Sequence, residues 1–160
     1  MTIIIGFDSL IFSFRIGGIA SYQANLMAAL RSVDDISVKF SGGFGGDPSY
    51  SDVPGLWRMP FSQRHILFAS NMINSVALES DIHHICGFWK PIFLRSKRIV
   101  LTIHDMIPEK LGSIYPRIQR VHYDKKRIAS ISDAVICPSE SVRSDVIEII
   151  GLPEHRVFNV

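Results

Sequence analysis

RIVLTIHDMIP, residues Arg98 to Pro108, is the stretch that decides the fold. After its leading arginine come Ile99, Val100, Leu101, Thr102 and Ile103, short, mostly aliphatic and rich in β-branched side chains. A run of that kind without polar alternation predicts a strand covered on both faces, as in a parallel sheet. The run stops at two titratable residues, His104 and Asp105. Ligands of parallel α/β sheets bind in the crevice beyond the carboxyl ends of the strands. One stretch therefore predicts an architecture and a place to look for chemistry.

The same signature recurs outward from it. Ile3–Phe7, Ile36–Phe40, Asp81–Cys86 and Ala134–Cys137 read as further strands. Between them, apolar residues return at helical spacing. Ile19, Tyr22, Leu26, Ala29 and Leu30 predict a helix over Ile19 to Ser32. Ile66, Leu67, Met72, Ile73 and Val76 predict another over Arg64 to Leu78. Pro116 opens a third, running to Ser132, at a position where its missing N–H costs little. Ser139 is an N-cap for a fourth that ends at Ile150, with Gly151 just past it. Ser41 to Gln63, dense in glycine and proline, reads as one long loop. Strands alternating with helices predict an α/β fold, a Rossmann-like parallel sheet with helices on both faces, built as a single domain over residues 1–160.

The 160 residues are 47% hydrophobic and 20% charged, which excludes a disordered chain. A net charge of +2 implies no polyanionic partner such as nucleic acid. The charge is uneven, with nine Lys/Arg against three Asp/Glu between Arg95 and Arg127. Arg117, Arg120, Lys125, Lys126 and Arg127 share one expected helix with Ile118, Val121 and Ile128. That helix is either a solvated charged face or a peripheral contact with an anionic membrane. Cys86 and Cys137 each sit in an apolar run and read as buried free thiols in a reducing compartment. No apolar stretch approaches the ~20 residues of a membrane span, so a cytoplasmic protein is expected, at most touching the inner face of the membrane.

The candidate site residues follow the strands. Gly17 and Gly18 stand at the mouth of the first helix, either as a tight turn or as a place where a phosphate or sugar approaches free N–H groups. Their spacing matches neither the dinucleotide nor the P-loop pattern, which argues against an oxidoreductase. His104 could hydrogen-bond a sugar hydroxyl with Asp105 orienting it, or the pair could simply end the strand and start a turn. Gly87 and Phe88, with Trp89, offer a stacking surface or ordinary packing. The histidines His83, His84 and His104 lack metal-ligand spacing, so no metal is expected. Ser139 is explained by capping, and no nucleophile elbow is present.

Three motifs in order resemble one family, the GT-B glycosyltransferases of the family 4 type. Gly17-Gly18-Ile19-Ala20-Ser21-Tyr22 followed by Asn25-Leu26 resembles the family's Gly-Gly loop and first helix. Val100 to Pro108 resembles its Thr-Ile/Val-His-Asp element and apolar-Pro turn. Ser132-Asp133-Ala134-Val135-Ile136-Cys137-Pro138-Ser139-Glu140, then Asp145-Val146, Gly151-Leu152-Pro153 and Arg156-Val157, resembles its A-D-A-V-I-x-x-S-E element. Ala20 and Ser21 depart from the Gly and Arg common there.

The resemblance implies the N-terminal, acceptor-side half of a retaining enzyme that moves a sugar from a nucleotide-sugar donor to a glycan or lipid-linked acceptor. It points to bacterial surface polysaccharide synthesis. It implies that Gly17 and Gly18 face the donor, that His104 touches the transferred sugar, and that Asp105 shapes that site. The acceptor is expected to be set by the Ser41 to Gln63 loop and the Gly87 to Pro91 turn, with Gly87 and Phe88, although no motif decodes either stretch. No metal or cofactor is implied. The basic pair and Glu-x7-Glu motif of the donor-binding half are not among these residues, so the chain is expected to be inactive alone and to need a C-terminal domain. The rival expectation is a stand-alone α/β binding or regulatory module that pairs with a separate subunit.

Overall fold

A computed structural model describes residues 2–7, 9–13, 17–41, 43–45, 53, 54, 56–58, 66, 69, 79–87, 98–111 and 119–160. The chain divides into two compact units, Met1–Cys86 with Pro91–Arg98, and Gly87–Lys90 with Ile99–Val160. The fold class is α/β and Rossmann-like, with parallel pairing in every described ladder.

In the first unit, β1 (Ile3–Phe7) leads through a 3-10 turn, Leu10–Ser13, into helix α1 (Gly17–Leu30) and then β2 (Ile36–Phe40). Two short strands follow, β3 (Gly43–Gly45) and β4 (Leu56–Arg58), paired with each other, and then β5 (Ile82–Ile85). β1 pairs with both β2 and β5, in register Phe7 to Phe40 and Phe7 to His84. Because side chains alternate along a strand, Ile5, Phe7, Val38 and Phe40 share one face. Met27, Ile19, Tyr22, Leu26 and Leu30 of α1 pack against that face, with Cys86. His84 shares it too, its ring stacked 5.3 Å from Phe7.

The 3-10 turn is a hydrophobic plug. Leu10, Ile11 and Phe12 are all buried, and Phe12 meets Phe40 edge-on at 5.9 Å. Ser9 N–H donates to Ser41 Oγ at 3.2 Å, and Ser41 N–H to Phe7 carbonyl at 3.0 Å, which ties this turn to the end of β2.

The second unit holds β6 (Arg98–Thr102), a single helical turn α2 (Ile107–Lys110), helix α3 (Gln119–Ile131), β7 (Ala134–Cys137), helix α4 (Glu140–Asp145) and β8 (Val157–Asn159). β7 pairs with β6 and β8, both parallel. Leu101, Ile103, Ile128, Ala129, Val135, Cys137, Val146 and Val157 are buried in this unit. Ser139 Oγ accepts the N–H of Val142 at 3.3 Å, the expected N-cap. α4 widens into a π-helical turn over Val146–Ile150 and stops at Gly151, whose φ of +82° is the left-handed conformation that glycine adopts without strain. Arg156 Nη2 donates to the carbonyls of Ala129, Ser130 and Ser132, covering the acceptors that end α3.

Departures from expectation have local causes. Ser41 to Gln63 contains β3 and β4 rather than loop alone. Arg64 to Leu78 lies almost wholly outside the described residues; within it, Ile66 and Ala69 are helical and exposed. α1 begins two residues early and leaves Ala29 exposed, because its inward face runs through Ala20, Gln23 and Met27. Both cysteines are free and buried, as expected. Burial pushes the Cys137 thiol up to about 11, with Arg143 opposing and Glu140 adding to the shift.

One device appears in both units. Asp81, just before β5, donates its N–H to the Ile4 carbonyl at 2.9 Å and accepts the Ile4 N–H on Oδ2 at 3.0 Å. Asp133, just before β7, does the same to Ile99, at 2.8 Å in both directions. Each aspartate seizes both backbone groups of one residue on the neighbouring strand. Losing such an acceptor costs about 1–3 kcal/mol when the donor is shielded from water. The Asp133 contact is exposed, so Asp133→Ala is expected to lower the unfolding free energy in urea by about 0.5–1.5 kcal/mol and Asp133→Asn by less; an unchanged midpoint for the alanine variant would show that the contact adds nothing to stability.

Candidate active site

The strand-end residues stand where the sequence places them. The Ile103 N–H donates to the Ile136 carbonyl at 2.9 Å, so β6 stays attached to β7 for one residue past its last strand position. His104 is the first residue beyond. Ile103 and Met106 are buried, at 0% and 2% exposure, while His104 and Asp105 between them are only half-buried. Two apolar anchors thus hold a short polar segment at the surface of the core.

Asp105 has a structural duty as well. Its Oδ1 accepts the N–H of Ile107 at 3.2 Å, the side-chain turn that starts α2. This is the turn-starting alternative of the sequence reading, and it orients the carboxylate beside His104. Burial draws the His104 imidazole below its ordinary value, and the Asp105 charge pulls the other way. A neutral imidazole offers one donor and one acceptor, the pattern that a sugar hydroxyl can meet.

Beneath this segment lies Lys125, whose charge predicts a place on an outer face, yet its side chain is 0% exposed. Its Nζ donates to the Asp105 carbonyl at 2.8 Å and to Glu109 Oε2 at 2.9 Å, with Met106 Sδ 3.9 Å away. The Glu109 side chain is only 1% exposed. The signal was present: Lys125 falls four residues after Val121 and three before Ile128, on the apolar stripe of α3. Lys126 and Arg127 do face solvent, Arg117 lies outside the described residues, and the basic face is reduced by one charge. Outside the core, Lys110 pairs with Asp145 at 2.7 Å, so α2 is held on two sides.

The other candidates lie elsewhere or outside view. Gly17 and Gly18 belong to the first unit, and they form the first turn of α1 rather than a loop before it. Both are exposed, and a Cβ at Gly18 would meet no atom within 4 Å. Among the described glycines only Gly151 has a positive φ. Neither crowding nor backbone strain therefore requires glycine at 18, and the tight-turn reading loses its support. Gly87 is buried directly after Cys86 and belongs to the second unit. Phe88 and Trp89 lie outside the described residues. Among the described residues no cluster of His, Cys, Asp or Glu is placed to hold a metal ion, and no helix is long and apolar enough to cross a membrane.

An α/β domain with a polar segment held at a strand end is the general class. The sequence profile of Glycosyltransferase Family 4 matches residues 16–158, and the chain belongs to that family. No curated protein matches the chain significantly.

The unfolded His104 imidazole binds a proton at higher pH than the folded one, so stability from this group is full above its ordinary value and is lost as pH falls from there through the lower folded value. An NMR titration of the His104 ring is expected to show a midpoint below 6.5, moved lower still by Asp105→Asn. A midpoint at or above 6.5 would mean that the ring is not desolvated.

Proposed function

We propose that this chain is the acceptor-side domain of a retaining glycosyltransferase, acting with a donor-binding domain on a nucleotide-sugar and a glycan or lipid-linked acceptor. The observation that supports it best is the half-buried, neutral-leaning His104 held at the strand end between two buried anchors. Family membership supplies the reaction type: a glycosyl group leaves its donor and joins an acceptor hydroxyl.

In this reading the bond between the sugar's anomeric carbon and the diphosphate breaks, and a new bond to the acceptor oxygen forms on the same face. The acceptor's proton passes to the departing phosphate oxygen, so no protein base is needed. His104 hydrogen-bonds a hydroxyl of the transferred sugar, and Asp105 fixes the segment that carries it. The exposed first turn of α1 directs the N–H groups near Gly17 and Gly18 toward the donor phosphates. Gly87 and Phe88 serve the acceptor. The physiological setting proposed is bacterial surface polysaccharide synthesis, on the cytoplasmic side of the membrane.

Two measurements test this. In the full-length protein, His104→Ala is expected to lower kcat/KM about ten- to hundredfold, the worth of one or two hydrogen bonds to a buried polar partner, with an unchanged Tm; wild-type kinetics would remove His104 from the site. Residues 1–160 alone, assayed against a panel of nucleotide sugars, are expected to show no transfer, and turnover by them would overturn the need for a second domain.

A further inference from the structure

We propose that Lys125 is a positioning residue for the strand-end segment, its buried ammonium setting the backbone from which His104 is presented. The inference rests on the reading of His104 as part of the site. Three acceptors for the ammonium, the Asp105 carbonyl, Glu109 Oε2 and Met106 Sδ, come from one five-residue segment that starts directly after His104. An ammonium has three donors, and one short stretch of chain meets them. Lys125 itself sits mid-way along α3, a rigid element, with Ile128 and Ala129 buried close behind it. The Lys125 nitrogen therefore ties the segment to a helix.

Stability is a poor reason for this pair. Taking an ammonium and a carboxylate to 0% and 1% exposure carries a desolvation cost that their attraction offsets only in part, and apolar residues of like volume serve a core as well or better. What apolar residues cannot do is hold a backbone carbonyl at a fixed point. The Asp105 carbonyl lies one peptide from His104, and a group that binds a sugar by hydrogen bonds must keep its position to within a fraction of an ångström. The turn at Asp105 Oδ1 and the Lys110–Asp145 pair restrain the same segment from its other sides.

The test compares Lys125→Met/Glu109→Leu with wild type in the full-length protein, with Lys125→Met/Glu109→Gln as a second, more closely isosteric pair. Both remove charge in balance, so at least one is expected to keep a near-native Tm. In that variant, amide hydrogen exchange at Asp105 to Ile107 is expected to rise tenfold or more while Leu101 and Val135 in the strands stay protected. The His104 ring resonances are expected to broaden, and kcat/KM to fall at least tenfold. Unchanged exchange and ring signals would overturn the proposal. So would full turnover in the pair variant where His104→Ala alone lowers it ten- to hundredfold. Full turnover in His104→Ala as well would instead remove the site reading, and the exchange data would still decide what Lys125 does.

Discussion

A parallel strand cannot find its register through a tight turn, since its neighbour in the ladder arrives after a long excursion of the chain. A slip of one residue would turn every core side chain outward. Here the register is set at the strand starts. Asp81 grips both backbone groups of Ile4, and Asp133 grips both of Ile99. With Ile4 fixed against β5, Phe7 lands opposite His84; on its other side the Ile3 N–H donates to the Asp35 carbonyl at the start of β2, and Phe7 lies opposite Phe40, giving the apolar face on which α1 packs. With Ile99 fixed, Leu101 lies beside Val135, and Ile103 still reaches Ile136. The position of His104 in the second unit follows from that start.

The segment after β6 is where the second unit departs from economical folding. Its apolar residues, Ile103 and Met106, would hold it loosely to the core. It is instead restrained by an ammonium below, a carboxylate turn within, and an ion pair at the surface. Such a concentration of polar restraint in a few residues is characteristic of segments whose position matters more than their contribution to stability. In a glycosyltransferase, whose reaction depends on aligning a sugar with the group that accepts it, such restraint has a chemical use.

The strands were legible because each is a short β-branched run with a sharp end. Ile3–Phe7, Ile36–Phe40 and Ala134–Cys137 match residue for residue. Caps were legible where chemistry is local, at Ser139 and Gly151. What could not be read were contacts between residues distant in the chain. Nothing adjacent to Asp81 or Asp133 announces a partner 77 or 34 positions away. The charge of Lys125 suggests an outer face, whereas its spacing three residues before the buried Ile128 suits an inward one. The glycines at 17 and 18 read either as a tight turn or as a place where a phosphate or sugar approaches the mouth of the helix; the turn alternative fails because they lie inside the first turn of α1. β3 and β4 escaped notice because three-residue strands leave too little periodicity to detect.

The two cysteines have a use unrelated to any chemistry the protein performs. The chain has only Cys86 and Cys137, one in each compact unit, and both are free and buried. A thiol must ionise and meet its reagent before it reacts, and Cys137, held up near 11, does neither while its strand is in place. The protein therefore carries a native optical clock in each half. A chromogenic disulfide reagent, added to the wild-type chain, reads the opening of the two units as the release of two equivalents, and mass spectrometry of the labelled peptides tells which thiol reacted first.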